Sequence, residues 1–333
     1  MSGPTSVQLS GVTKRFGDFA AVDDLSLEVP AGVVYGVLGP NGAGKTTTLR
    51  MVNDILAPDR GAIRLFGDLP PGRAAARRIG YLPEERGLYP KMRVADALRF
   101  FGELRGMTGR AASGRAAAWL ERLGLAEWTR HKVQELSKGM QQKVQFAAAL
   151  LHEPDLIILD EPWTGLDPIN SEVLREVVQE QRAAGRTILF STHLMEQAET
   201  VCDRVCLIVR GRRVLEGEVG RIKREAAGDR LVALVFADPA AEARARTTVL
   251  ADAGLVAVVR ERRGFLEAEL AREGQAAADE LLHQLLAQGA ALRRFEMVEP
   301  SLHQIFVDRV GAEVAAGGDL AGHGQGGGEV ARA

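Results

Sequence analysis

The sequence predicts an α/β nucleus followed by a small α+β domain, on three observations. Short, nearly continuous apolar runs at 33–38 (VVYGVL), 155–159 (DLIIL) and 187–191 (TILFS) have the length and make-up of buried parallel strands. A helical stretch over 170–184 separates the last two, and strand, helix, strand in that order implies a crossover within one sheet. Near Gly228 the pattern changes to strand, helix, strand, strand, helix, strand.

In chain order, apolar and polar residues alternate over 7–12 and 25–29, which predicts half-exposed strands and an N-terminal antiparallel β part. The run at 33–38 ends in glycine, and a helix begins near Lys45. Stretches 94–106 and 115–125 are rich in Ala, Leu and Arg at helical spacing, so about 85–150 is predicted to form a mostly helical subdomain. Beyond Gly228 the predicted elements are strand 231–236, helix 240–252, strands 255–260 and 265–270, helix 274–288 and strand 291–298. Gly264 falls where a hairpin turn belongs, and the order suggests a ferredoxin-like fold. The expected division is residues 1–225, 228–310 and a tail over 311–333. With seven glycines between Gly317 and Gly328 and few apolar groups, that tail is expected to be disordered.

A chain of 333 residues suggests two domains, and 46% hydrophobic residues suffice for sizeable cores. Lys and Arg total 42 against 44 Asp and Glu, a net charge of −2 that argues against general or direct nucleic-acid binding. Apolar runs fall well short of the ~18 residues of a membrane span. The start MSGPTSVQLS has no basic, apolar secretory leader. Two cysteines, Cys202 and Cys206, are too few for a disulfide framework or a four-ligand zinc site. They suit structural thiols in a reducing compartment, and the chain is expected to be cytosolic without an anchor of its own.

The chemistry begins at GPNGAGKT: Gly39, Pro40, Asn41, Gly42, Ala43, Gly44, Lys45 and Thr46, with Thr47 following. This fits G-x-x-x-x-G-K-[ST] between a buried strand and a helix. Gly42 and Gly44 permit a tight turn and a close approach to an anion. Successive backbone N–H groups at a helix N-terminus then surround phosphates. Lys45 is placed to pair with β- and γ-phosphates and the Thr46 hydroxyl to hold Mg²⁺. LIILDEP supplies the second half, since ligands in α/β folds bind beyond the carboxyl ends of strands. Asp160 suits a direct or water-mediated Mg²⁺ partner, and Glu161 is placed to orient and deprotonate the attacking water.

With ELSKGMQQK (Glu135 to Lys143) before LIILDEP, GLDP (Gly165 to Pro168) after it, and then STH ending at His193, the chain closely resembles the ATP-binding subunit of an ABC transporter. The resemblance joins five motifs in order over about residues 5–220. IGYLPEERGLYPKM (Ile79 to Met92) and PSL-x-x-IF (Pro300 to Phe306) are similar to the group serving ABC-2-type exporters, the latter within the C-terminal domain.

The resemblance implies a P-loop ATPase in which two chains, or two domains, sandwich two ATP molecules. Ser137 and the Gly139 backbone then contact the γ-phosphate bound by the partner. Asp167 links the two sites and His193 touches the γ-phosphate. Phe16 stacks on adenine, or else is a core aromatic. Glu84 stands where the family has a glutamine that approaches Mg²⁺. A carboxylate there accepts from water or coordinates the cation, adds negative charge, and cannot donate an amide hydrogen bond. It implies weaker or differently coupled Mg²⁺ binding. LSKGM replaces the usual LSGGQ, so Lys138 either adds charge near the phosphates or faces solvent.

The resemblance also implies a second ATPase subunit, as a homodimer, and a separate transmembrane permease holding the chain at the cytoplasmic face of the membrane. Gly87, Leu88, Tyr89, Pro90 and Met92 either receive a permease helix or pack into the helical subdomain. The C-terminal domain carries no constellation for chemistry and suits dimer stabilisation or regulation. Rival readings are a soluble ABC ATPase acting on ribosomes or nucleic acid, or a P-loop kinase. The single P-loop argues against the translation type, whose members usually carry two ATPase domains, and Gly39 and Ser137, only 98 positions apart, leave no room for the long coiled coil of the chromosome-maintenance type. ELSKGM argues against the kinase. Abundant Ala, Arg and Gly hint at a GC-rich bacterial genome, which suggests drug or antibiotic export before sodium, lipid or polysaccharide export.

Overall fold

The computed structural model describes residues 4–85, 87–227, 230–262 and 264–315. The chain divides into two compact units, Met1–Val219 and Gly220–Ala333.

In the first unit, β1 (Thr5–Phe16) and β2 (Phe19–Pro30) form an antiparallel hairpin, with β4 (Arg60–Leu65) on the far edge of β1. Leu25, Leu27 and Val29 are buried while Ser26 and Glu28 between them are exposed, the period-two pattern of a sheet with one wet face. Both hairpin strands outrun the alternating stretches at 7–12 and 25–29. Cross-strand pairing continues through Lys14 to Phe16 over register shifts, so ladder bonding carries the strands where side-chain pattern does not.

The second sheet has the order β5-β6-β7-β3-β8-β9. Its strands β3 (Val34–Leu38), β5 (Ile79–Leu82), β6 (Leu156–Asp160), β7 (Thr187–Thr192) and β8 (Arg204–Val209) are parallel, and β9 (Arg212–Glu218) is an antiparallel edge. Every residue of β3, β6 and β7 is buried, which explains their unbroken apolar runs. One core joins Val7 and Leu27 of the small sheet, Leu49 of α1 (Lys45–Val52), and Tyr35, Ile158 and Leu189 of the large one. Cys202 and Cys206 are unpaired, and burial pushes both thiols up, so they behave as small apolar groups.

After β4 comes the short α2 (Arg73–Ala76). The connection from β5 to β6 holds α3 (Val94–Leu104), α4 (Gly109–Arg122) and α5 (Lys138–Leu150), which pack on one another. Residues 87–93 are not helical, although they lie within the predicted helical stretch. Pro90 lacks an N–H, and the carbonyls of Pro90 and Met92 accept from Gln134 and Val133 instead of from a helical turn. Leu88 is buried, whereas Tyr89 is half exposed with its ring centroid 5.5 Å from that of Phe100 and 6.2 Å from that of Phe101. The expected exposed cluster is therefore an aromatic patch anchored by a buried leucine. α6 (Pro168–Ala183) connects β6 to β7, and α7 (Met195–Val201) connects β7 to β8.

α8 (Val219–Ala227) leads into the second unit. There β10 (Leu231–Phe236), β11 (Val256–Arg262), β12 (Phe265–Leu270) and β13 (Leu292–Met297) form an antiparallel sheet in the order β11-β12-β10-β13. With α9 (Pro239–Thr247) and α10 (Gln275–Ala287) as connections, this is the ferredoxin-like arrangement. Its own core includes Val232, Leu234, Leu266, Ala278, Leu281 and Leu285. α9 stops short of residue 252. The Thr247 and Thr248 hydroxyls donate back to the Arg244 carbonyl, and a 3-10 turn at Val249–Ala251 follows. α11 (Leu302–Ala315) runs past Val310, so the first residues of the expected tail continue a helix. Ala312, Glu313 and Ala315 are strong helix formers, and extending an existing helix costs far less than starting one. The rest of that tail, 316–333, lies outside the described residues. Among the described residues no helix is long and apolar enough to cross a membrane.

Candidate functional site

β3 delivers the chain into the glycine loop, and α1 starts at Lys45 with Gly44 as its N-cap at φ 100°. Gly39 and Gly44 tolerate no side chain: a Cβ on Gly39 would lie 2.2 Å from the Ile208 carbonyl oxygen, and one on Gly44 2.2 Å from that of Ala21. Lys45 is only 6% exposed, and its Nζ donates to the carbonyls of Gly39 at 2.8 Å and Pro40 at 3.2 Å. It also stands 3.4 Å from Glu161 Oε1.

β6 ends in Asp160, which is fully buried. Asp160 Oδ1 accepts from Thr46 Oγ1 at 3.1 Å and from Ser191 Oγ at 2.5 Å. Asp160 Oδ2 is buried with no partner. Burial pushes the Asp160 carboxyl up from its ordinary pKa, and the Ser191 and Thr46 hydroxyls pull it part of the way back. Glu161 has φ 48°, a left-handed backbone few non-glycine residues adopt, and is 7% exposed. Its carboxylate oxygens both lie 3.1 Å from His193 Nδ1.

Of these groups Gly44, Lys45, Thr46 and Glu161 border a cleft of about 390 Å³, whereas Asp160, Ser191 and His193 are not in its lining. Its lining contains the expected Phe16, Asn41 to Thr47, Glu84 and Glu161, together with Phe19 and Ala21. Gly39 and Pro40 act from behind by holding Lys45. Phe16 is 50% exposed, which removes the core alternative for it. Glu84 sits in the loop after β5, and Gln145 Nε2 steadies that loop by donating to the Glu85 carbonyl at 3.1 Å.

Ser137, Gly139 and Asp167 form a second group outside the cleft lining. Ser137 caps α5 by accepting from the Met140 N–H at 3.3 Å. Asp167 caps α6, and its bonds from the Asn170 backbone and side chain hold its carboxyl below the usual range. A Cβ on Gly139 would lie 3.3 Å from Asn170 Nδ2, so the starts of α5 and α6 lie side by side.

Two contributors escape sequence reasoning. Phe19 pairs directly with Phe16 across the Gly17–Asp18 turn and is 62% exposed in the cleft. The FGDF spelling of a two-residue turn was the available signal. Ser191 is opposite Asp160 in the parallel register of β6 and β7, which no local pattern reveals.

Chemically, the loop amides at the start of α1 and the Lys45 ammonium suit a triphosphate. Thr46 Oγ1 and the unpartnered Asp160 Oδ2 are hard oxygen donors, and a buried carboxylate oxygen without a partner fits a divalent cation. Glu161, held by His193, suits a general base.

Comparison with known proteins gives the family. Residues 22–164 match the family described as "ABC transporter", and residues 217–310 match "ATP-binding protein DrrA1-3-like, C-terminal domain". The chain is 42% identical over 307 residues to "Uncharacterized ABC transporter ATP-binding protein YhaQ" of Bacillus subtilis, covering 90% of this chain and 97% of that one. It is 42% identical over 236 residues to "Nod factor export ATP-binding protein I" of Burkholderia lata, covering 70% and 78%. Its fold is similar to the "Dimeric structure of a post-hydrolysis state of the ATP-binding cassette MJ0796 bound to ADP and Pi". That match has TM-score 0.58 and 25% identity, and covers 64% of this chain and 98% of that one. The chain therefore belongs to the ABC transporter ATP-binding proteins. Its activity is ATP hydrolysis coupled to transport.

Proposed function

We propose that the chain works as one half of a homodimeric motor that powers export through a separate membrane permease. The observation that carries this reading is the division of the site residues into two groups. The cleft lining holds the loop from Asn41 to Thr47 and Glu161, with Asp160 bonded to Thr46 and His193 to Glu161, while Ser137 and Gly139 stand outside both that lining and that network, at the start of α5 beside α6. A serine cap and a glycine at the start of α5 form an anion-binding end suited to a phosphate held by a second copy. The dimeric state of the similar cassette supports the same arrangement.

Within one chain, Phe16 stacks on the base, the residues from Gly39 to Thr47 hold the phosphates, and Asp167 links the two halves. Thr46 and Asp160 hold Mg²⁺, with Glu84 near it. Two protein donors suit an ion that keeps several waters and substrate phosphate oxygens. When bound, the ion neutralises charge developing on the phosphates. Glu161 takes a proton from the attacking water, and His193 keeps its carboxylate aimed. Glu84→Gln is expected to shift both the Mg²⁺ dependence and the pH profile of hydrolysis, and unchanged curves would remove Glu84 from the cation's surroundings.

The test of the whole reading uses Glu161→Gln, which retains the site but lacks the base. ATP and Mg²⁺ are expected to trap it as a dimer, measured by light scattering. Tagged protein drawn from native membranes is expected to bring a multi-span polypeptide with it. Monomers under those conditions would sink the two-site arrangement. Co-purifying ribosomes or nucleic acid would leave ATP hydrolysis intact and remove the permease. The name of the Burkholderia relative supports an exporter. Drug or antibiotic efflux is the first cargo to assay, and sodium, lipid or polysaccharide the next.

A further inference from the structure

Ser191 occupies an unusual place between the two acidic residues of the site. It is fully buried on β7, opposite Asp160. Its hydroxyl donates to Asp160 Oδ1 at 2.5 Å, and the same oxygen accepts the Glu161 N–H at 3.0 Å. The Ser191 carbonyl, 3.2 Å away, accepts that N–H as well. A hydroxyl has one proton, and here it is committed to Asp160 because the Glu161 amide faces the lone pairs. Each bond in such a chain polarises the next. The amide held is that of a residue at φ 48°, a conformation that persists only where neighbours over-determine it.

We propose that Ser191 is a positioning residue for both carboxylates at once. Through its proton it turns Asp160, so that Oδ2, which has no protein partner, stays free for the cation. Through its oxygen it holds the Glu161 backbone, which sets the carboxylate against His193 and Lys45. Thr46 donates to the same Asp160 oxygen at the longer distance of 3.1 Å and comes from the phosphate loop, so it cannot replace the link to Glu161. One side chain thus couples the cation-holding group to the water-activating group. Alanine at 191 removes this side-chain link and leaves only the backbone bond from the Glu161 N–H to the carbonyl at 191.

The inference rests on the reading of Thr46 and Asp160 as cation ligands, and the experiment separates the two. Mn²⁺ binding in the presence of a non-hydrolysable ATP analogue is followed by electron paramagnetic resonance on the full chain, Ser191→Ala and Ser191→Cys. Cys preserves shape but donates weakly, and it decides the matter if the alanine variant does not fold. Loss of a partner that orients a metal ligand is expected to weaken Mn²⁺ affinity about tenfold. Analogue affinity without metal should stay within about twofold, and kcat should fall with little change in KM for ATP. Unchanged Mn²⁺ affinity and kcat in a folded Ser191 variant would overturn the proposal alone. Failure of the unaltered chain to retain Mn²⁺ with the analogue would overturn the cation-site reading and the proposal with it.

Discussion

At the scale of single residues, the cleft combines groups that a linear motif names with one that a hairpin turn brings in. Phe19 shares a cross-strand pair with Phe16, and both rings open onto the cleft. Two adjacent aromatic surfaces offer a base more stacking area than one. Base–aromatic stacking is worth about 1–3 kcal/mol by alanine substitution. Phe19→Ala is therefore expected to weaken ATP binding about fivefold or more, while binding of inorganic tripolyphosphate is unchanged. Calorimetric titration with both ligands checks it, and an equal loss for tripolyphosphate would mean that the ring supports the loop instead. Lys45, Thr46, Asp160 and Glu161 were all legible in the sequence, because each sits at a fixed step from a glycine loop or a strand end. Ser191 was not, because its meaning comes from the register that sets it against Asp160.

At the scale of elements, the turn after α5 carries a pH-sensitive contact. His152 Nε2 lies 3.0 Å from the Ile79 carbonyl oxygen of β5. Burial, with the nearby cations Arg105, Arg186 and Arg115, lowers its pKa to about 4. The unfolded chain takes up this proton near the ordinary value of about 6.5. Between those two values the unfolded state binds more protons, so stability rises with pH in that window. The contribution is complete above the unfolded value and lost as pH falls towards the folded one. His152→Gln is expected to flatten the fall in Tm between pH 6.5 and 4.5, measured by thermal unfolding against the parent. An identical slope would assign the acid sensitivity to carboxylates. The elements themselves were mostly legible where one apolar period ruled, as in β3, β6 and β7. The loop before α3 was not, since its carbonyls at Pro90 and Met92 find partners at Gln134 and Val133, far along the chain.

At the scale of the whole molecule, the two units have separate cores and the cleft lies entirely in the first. A chain ending at Val219 is expected to fold and to bind ATP, because no residue lining the cleft comes from beyond it. Loss of ATP binding in a folded truncation would make the second unit part of the site. If only the ATP-trapped dimer of the corresponding Glu161→Gln truncation fails to form, the second unit acts in dimer stabilisation.

By itself the sequence determined the chemistry of the cleft and the class of both domains. A phosphate loop, a strand ending in Asp-Glu and the βαββαβ order are local patterns, written in residue type and spacing. Tertiary structure alone decided which residues face one another. It set Ser191 against Asp160 and stationed Gly139 next to Asn170, with Ser137 and Gly139 both outside the cleft lining. Sheet register and helix packing join positions far apart in the chain, and their energies depend on the assembled core rather than on any stretch of it.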